Sequence, residues 1–77
     1  NGSDMIDLSK KLIALVKEDL GKASQTLVAK ELGVTQPFIH AVLHKNKFFD
    51  ESRFVEYCKK KNITLDELNK KLRRYSM

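Results

Sequence analysis

This chain has few of the residues that interrupt or cross-link a polypeptide. Among its 77 residues are one cysteine, one proline, three glycines and no tryptophan. The single cysteine, Cys58, excludes an intrachain disulfide, and no run of about 18 apolar residues predicts a membrane span. No segment alternates apolar and polar residues between turn residues, so no β-strand is predicted. We therefore expect a soluble, cytoplasmic, all-α protein.

No signal peptide is expected from the first residues of the given sequence. Asn1, Gly2 and Ser3 supply neither the charged nor the apolar region of a signal peptide. Residues 1–4 are typical of an expression-tag remnant or a disordered N-terminus, with Met5 as the native start. We expect residues 5–77 to form a single small domain, because a chain of this length has only a marginal core.

Apolar spacing and capping residues predict the first three helices. The first runs up to Gly21 and repeats apolar residues at helical spacing, namely Met5, Leu8, Leu12, Leu15, Val16 and Leu20. The second covers about residues 25–32 after Ser24, and the third covers about residues 36–44 after Thr35 or Gln36. Pro37 leaves that last cap open, because proline suits the first helical position but disfavours helical geometry in the residue before it.

Two more helices are predicted after a loop that runs from His44 to Phe49. Asp50 caps a fourth helix over about residues 51–61, and Asn62 fits a left-handed stop. Thr64 and Glu67 match a capping box for a fifth helix. Its apolar stripe consists of Leu65, Leu68, Leu72 and Tyr75.

Gly33 separates the second helix from the third. A glycine between two apolar-periodic runs is best explained by a left-handed backbone at a helix C-terminus. Ala29 is small where two crossing helices approach closely, and five apolar residues gather between the helices: Val28, Leu32, Val34, Ile39 and Val42. The opposite face of the third helix carries Gln36, Pro37, His40, Ala41 and His44, and is free for a ligand.

The segment from residue 24 to residue 45 resembles a known DNA-binding unit. The matching residues are Gln25-Thr26, Ala29-Lys30, Leu32-Gly33-Val34, Gln36 and Ile39. They are similar to the helix-turn-helix of the Cro and phage-repressor-like (lambda-repressor-like) family, and a looser likeness ends in residues 63–68. The resemblance implies a compact bundle of about five short helices. The smallest Cro proteins form dimers through β-strands that follow the helix-turn-helix, whereas residues 50–75 of this chain look helical. The way in which those proteins form dimers is therefore not transferred to this chain.

The resemblance implies that Gln36, Pro37, His40 and Ala41 face base edges. The Gln36 amide can pair with adenine in the major groove, brace the backbone, or serve only as a polar helix start. Pro37 suits a thymine methyl or merely helix initiation. His40 can donate to guanine or to a phosphate, or stay solvated.

Phosphate contacts are expected on both sides of this face. The candidates are Gln25, Thr26, Thr35, His44, Lys45, Asn46 and Lys47. Net charge is +5, and the whole excess follows the third helix, since residues 1–44 hold five lysines and five acids. A basic balance favours a polyanionic partner or simply solubility. Lys59, Lys60 and Lys61, with Arg73 and Arg74, are interpreted as helix-end charges.

Several other residues have structural interpretations. One of Phe48 and Phe49 is expected in the core and the other in a partner interface. Cys58 is expected to be a buried, inert thiol. His40 and His44 have metal-competent spacing, but no carboxylate or thiol is close in sequence, so neither a metal nor a cofactor is predicted.

Together with these features, the resemblance implies a sequence-specific, double-stranded DNA-binding transcriptional regulator of bacterial or phage origin. We expect a Cro-like repressor that inserts the helix over residues 36–44 into the major groove of a pseudo-palindromic operator. The alternative is a protein-binding helix-turn-helix module, such as an antitoxin or anti-regulator. An enzyme is not expected, because the chain lacks paired carboxylates, an activated nucleophile and a phosphate loop. Neither a membrane nor a small-molecule ligand is expected.

A homodimer is expected at least on DNA, because one recognition helix offers too few base contacts for a genomic site. The predicted interface uses the stripe of the fifth helix, with Phe48 or Phe49. The same stripe could instead be used up in closing the core of the monomer.

Overall fold

Five α-helices form the part of the chain that the computed structural model describes, residues 2–75. They are α1 (Gly2–Asp19), α2 (Gln25–Leu32), α3 (Gln36–His44), α4 (Glu51–Lys61) and α5 (Leu65–Arg74). These residues contain no strand, so the predicted all-α fold with five helices is confirmed. The radius of gyration is 11.3 Å, close to the roughly 11.5 Å of a compact domain of this length. None of these helices is both long and apolar enough to cross a membrane.

Each of the last four helices begins at a side-chain cap. The caps are Ser24, Thr35, Asp50 and Thr64, whose oxygens accept the backbone N–H three residues ahead. Thr35 accepts from the Phe38 N–H at 3.3 Å, so Thr35 and not Gln36 caps α3. The predicted capping box is also present, because the Glu67 carboxylate accepts from the Thr64 N–H at 3.3 Å. These caps satisfy amides that have no acceptor within their helices.

Left-handed residues end two helices where the sequence predicts. Gly33 has φ 70° after α2, and Asn62 has φ 57° after α4. Helix α1 differs from its predicted span at both ends. It begins at Gly2, so residues 2–4 lie within it, whereas Asn1 lies outside the described residues. It ends at Asp19, and the next residue, Leu20, is 39% exposed rather than part of the buried stripe.

The core lies among all five helices. Its largest fully buried side chains are Phe49, Leu12, Ile39, Leu68, Leu72, Val16, Val28 and Val42. Helix α5 packs against α1 and α4, and Leu68 and Leu72 have no exposed surface. Tyr75 donates its hydroxyl to the Ala14 carbonyl at 3.0 Å. Leu68 and Leu72, at the centre of the α5 stripe, therefore close the core of this chain, which is the second of the two uses predicted for the stripe.

Helices α2 and α3 form the most closely packed pair. Val28, Ala29 and Leu32 of α2 are buried with Ile39 and Val42 of α3, as predicted. The Val34 N–H donates to the Ala29 carbonyl at 2.9 Å, which tightens the turn after α2. Because this packing uses one side of α3, the other side of that helix is left at the surface.

Candidate nucleic-acid interface

The outer face of α3 gathers the four residues predicted to read bases. Gln36, Pro37 and His40 are exposed, and Ala41 is half-buried between them. Together with Lys45 they line a shallow depression of about 350 Å³. The arrangement follows from the burial of Ile39 and Val42 on the opposite side of the helix. The depression has apolar, amide, imidazole and ammonium groups within one helix face, which are the groups that contact base edges and phosphates.

Gln36 is held by a side chain from the neighbouring helix. Its Nε2 donates to Gln25 Oε1 at 2.7 Å. An amide NH₂ has two hydrogens, so Gln36 keeps one donor and its own Oε1 for a ligand, as pairing with an adenine edge requires. Gln25 keeps both hydrogens of its own amide, which can donate to a phosphate. The contact links a predicted base-reading residue to a predicted phosphate-binding residue.

The start of α2 lies beside this face of α3, as the hydrogen bond between Gln25 and Gln36 shows. Ser24 caps the helix, with its Oγ accepting from the Leu27 N–H at 3.3 Å. The backbone amides of the first turn, at Gln25 and Thr26, have no acceptor within the helix and carry its partial positive charge. Thr26 is exposed and Gln25 is half-buried. An anion approaching the face of α3 therefore meets these donors as well.

Thr35, a candidate for phosphate contact, also caps α3. Its Oγ1 is occupied by the cap to Phe38 N–H, so only its hydroxyl hydrogen is available to a phosphate. The residue is exposed and lies between the two helices. It can therefore contribute one donor while holding the first turn of α3 in place.

His40 and His44 are one turn apart and exposed on α3. Their ring centroids are 4.6 Å apart, with the planes tilted by 46°. Within residues 2–75 no group of three or more His, Cys, Asp or Glu side chains is placed to hold a metal ion. His40 and Lys45 border the same depression, so an imidazole and an ammonium group are available there for hydrogen bonding to an anion.

The loop after α3 presents cations from a fixed backbone. Lys45, Asn46 and Lys47 are all exposed, and Asn46 has a left-handed backbone with φ 57°. The Lys45 N–H donates to the Ala41 carbonyl at 2.7 Å, which ties the loop to α3. The three predicted phosphate-binding residues therefore directly follow the end of α3 and its outer face.

Phe49 anchors the other end of that loop. It is 1% exposed, and its N–H donates to the buried Ser9 Oγ at 2.9 Å. Its ring lies 5.6 Å from that of Phe38 and 6.3 Å from that of Phe54. Phe48, by contrast, is 46% exposed. The structure thus confirms that one phenylalanine enters the core and identifies Phe49 as that residue.

Sequence reasoning missed a set of contacts between α4 and the end of α2. Arg53 Nη1 donates to the Leu32 carbonyl at 3.0 Å. Lys60 Nζ donates to the Glu31 carbonyl at 3.1 Å and to its carboxylate at 3.0 Å. Lys61 lies 3.4 Å from the same carboxylate. We name these residues, Glu31, Leu32, Arg53, Lys60 and Lys61, the α2–α4 clamp.

The clamp stabilises the C-terminus of α2 electrostatically. Hydrogen bonding from Lys60 is the main cause that lowers the pKa of the Glu31 carboxyl. The cations also complement the negative end of the α2 dipole. Lys60 and Lys61 were interpreted as charges at the end of their own helix, yet they act on a different one. No pattern in the sequence pairs residues 21 to 30 positions apart, so only the tertiary structure reveals the clamp.

Cys58 is buried, and burial raises the pKa of its thiol. Its Sγ donates to the Thr64 carbonyl at 3.7 Å. A protonated, buried thiol is a poor nucleophile, in agreement with the expected inert role. It lies among core residues and not on the face of α3.

Comparisons with protein-family models, with curated proteins and with solved structures found no match to this chain.

Proposed function

We propose that this protein is a sequence-specific, double-stranded DNA-binding transcriptional regulator that acts as a Cro-like repressor. In this proposal α2, the turn at Gly33 and α3 are a helix-turn-helix of the lambda-repressor-like kind. Helix α3 enters the major groove, where Gln36, Pro37, His40 and Ala41 contact base edges. The flanking donors fix the position of the helix on the phosphates.

One observation carries the proposal. The four candidate base-reading residues share one depression with Lys45, and Gln36 is oriented by a 2.7 Å hydrogen bond from its amide to Gln25. A side chain fixed at the surface by another polar side chain loses less conformational entropy when it binds a ligand. Amide and imidazole groups presented in this way suit the hydrogen-bonding edges of bases better than an apolar protein surface.

Binding to a random-sequence DNA duplex across a range of salt concentrations tests this function. Because each phosphate contact releases counterions, log affinity should fall linearly with log salt concentration, with a slope of about −0.9 for every phosphate neutralised. We expect a slope steeper than about −3, given the donors at Lys45, Lys47 and the α2 N-terminus. An affinity that is undetectable at low salt, or that is insensitive to salt, contradicts the proposal and favours a protein-binding module.

A further inference from the structure

A second charged surface lies beside the proposed interface. A groove of about 580 Å³ runs along α1 to the end of α3 and to Tyr75. Ile13 and Leu43 line it with apolar surface, while Lys10, Lys17 and Lys22 also border it. Lys17 and Lys22 are exposed and Lys10 is half-buried. We name these three lysines the α1 lysine row.

The lysines of the α1 lysine row are among the cations of residues 2–75 that form no salt bridge, as are Lys45 and Lys47 of the loop after α3. Other lysines do have a carboxylate within 3.5 Å, namely Lys11, Lys59, Lys60, Lys61 and Lys70. The groove is bordered by one acid, Glu18. Lys10, Lys17 and Lys22 therefore remain available to an anion, as Lys45 and Lys47 do.

The groove and the row lie close in sequence to both helices of the proposed interface. Leu43 borders the groove and immediately precedes His44, the last residue of α3. Lys22 lies two positions before Ser24, the cap of α2. Lys10 and Lys17 are two helical turns apart, a rise of about 10 Å. Phosphates of one DNA strand advance about 3.4 Å per nucleotide along the duplex, so the row has the reach of about three consecutive phosphates.

We propose that Lys10, Lys17 and Lys22 bind the phosphate backbone of DNA that flanks the base pairs contacted by α3. The inference rests on the proposed function and extends it, because sequence reasoning placed no contact on α1. Duplex DNA is the occupant that fits a line of unpaired cations adjoining a face already rich in phosphate donors. The row lengthens the protein's contact with DNA without reading sequence.

A charge-matched pair of triple variants tests the row. One variant carries Lys10→Gln, Lys17→Gln and Lys22→Gln, and the other carries Lys59→Gln, Lys70→Gln and Lys71→Gln. Both remove the same charge from a net charge of +5. For the first variant we expect the slope of log affinity against log salt concentration to become less negative by about two to three. This corresponds to about 0.9 for each phosphate that is no longer neutralised. The second should change the slope by less than about one.

The outcomes separate this inference from the proposed function. If the wild type shows no salt-dependent DNA binding, both fail. If the wild type binds DNA and the two triple variants have equal slopes, the row is not a DNA surface and an acidic partner protein is the better occupant. Thermal unfolding of each variant establishes that it is folded. Substitutions of surface lysines should leave the midpoint of thermal unfolding nearly unchanged.

A substitution of opposite sign provides a second measurement. Glu18→Gln removes the carboxylate that borders the groove, so it should raise DNA affinity by about two- to fivefold at low salt, as expected for an exposed charge interaction. The matched variant is Glu56→Gln, in α4, which should leave DNA affinity within about twofold of the wild type. Equal effects of the two substitutions would show that net charge alone matters and would overturn the proposal.

Discussion

Gln36 is the residue on which recognition most depends in the proposed function. Its amide contacts Gln25 and retains a donor and an acceptor for a base. We expect Gln36→Ala to weaken binding to the cognate site by about 1–3 kcal/mol while barely changing binding to unrelated DNA. His40→Ala should behave in the same way. The measurement is a pair of titrations with cognate and scrambled duplexes.

Lys47→Ala is the control for that experiment, because Lys47 is exposed on the loop after α3 and supplies charge without a fixed geometry. It should weaken binding to both duplexes alike. If Gln36→Ala lowered the affinity for the cognate and the scrambled duplex by the same factor, α3 would not be reading bases.

Gly33 combines a backbone requirement with a steric one. Its φ is 70°, and an added Cβ would lie 3.2 Å from Arg53 Nη1. Gly21 has φ 73° with nothing within 4 Å, so it shares the backbone requirement alone. We expect Gly21→Ala to lower the free energy of unfolding by about 1–2 kcal/mol. Gly33→Ala should lower it by at least as much, measured by denaturant unfolding. A Gly33→Ala variant as stable as the wild type would contradict the role of this turn.

At the scale of the helices, the sequence predicts most of the bounds because local chemistry sets them. Ser24, Asp50 and Thr64 supply cap oxygens, and Gly33 and Asn62 supply left-handed stops. These signals act within about four residues, so they can be recognised in a single amino-acid sequence. Leu20 fits the apolar period of α1 but lies just beyond its end at Asp19, because the chain turns there through the left-handed residues Gly21 and Lys22.

Contacts between helices are the part of the site that the sequence does not predict. The residues on the outer face of α3 follow from helical periodicity, so that face is predicted correctly. The Gln25 to Gln36 hydrogen bond and the α2–α4 clamp join residues far apart in sequence through long polar side chains. Their partners depend on how the helices are placed. The α1 lysine row could not be predicted for the same reason, because only the tertiary structure shows which lysines have no carboxylate within salt-bridge distance.

The α2–α4 clamp predicts a pH dependence of stability. Hydrogen bonding from Lys60 lowers the folded-state pKa of Glu31, whereas an unfolded glutamate has a pKa of about 4.3. The stabilisation is therefore complete above that value and is lost as the pH falls through the lower folded-state pKa. We expect the stability advantage of the wild type over Glu31→Gln to narrow between about pH 5 and pH 3, as measured by thermal unfolding.

Glu56→Gln is the matched control for the clamp. Glu56 pairs with an exposed lysine of its own helix at 3.5 Å, and such pairs contribute little to stability. This variant should follow the wild type across the whole range. An advantage of the wild type over Glu31→Gln that is constant with pH would contradict the electrostatic role of the clamp.

At the scale of the whole molecule, the expected homodimer on DNA needs a surface other than the centre of α5. Leu68 and Leu72 are fully buried in one chain, whereas Phe48, in the loop between α3 and α4, is 46% exposed. Two symmetric copies should place their α3 helices in successive major grooves, about 34 Å apart. We expect occupancy to fall sharply when the half-site spacing is changed by about half a helical turn. Footprinting on duplexes of both spacings makes this measurement, and equal occupancy would exclude a symmetric dimer.

The central claim is that α3 reads the sequence of double-stranded DNA, and selection from a pool of random duplexes tests it most directly. The wild-type protein should enrich a pseudo-palindromic site with half-sites about one turn apart. The Gln36→Ala variant should bind that site more weakly by a factor of about 5 to 150, equivalent to about 1–3 kcal/mol. A pool that shows no enriched sequence after repeated selection, from a folded protein at low salt, would contradict the claim.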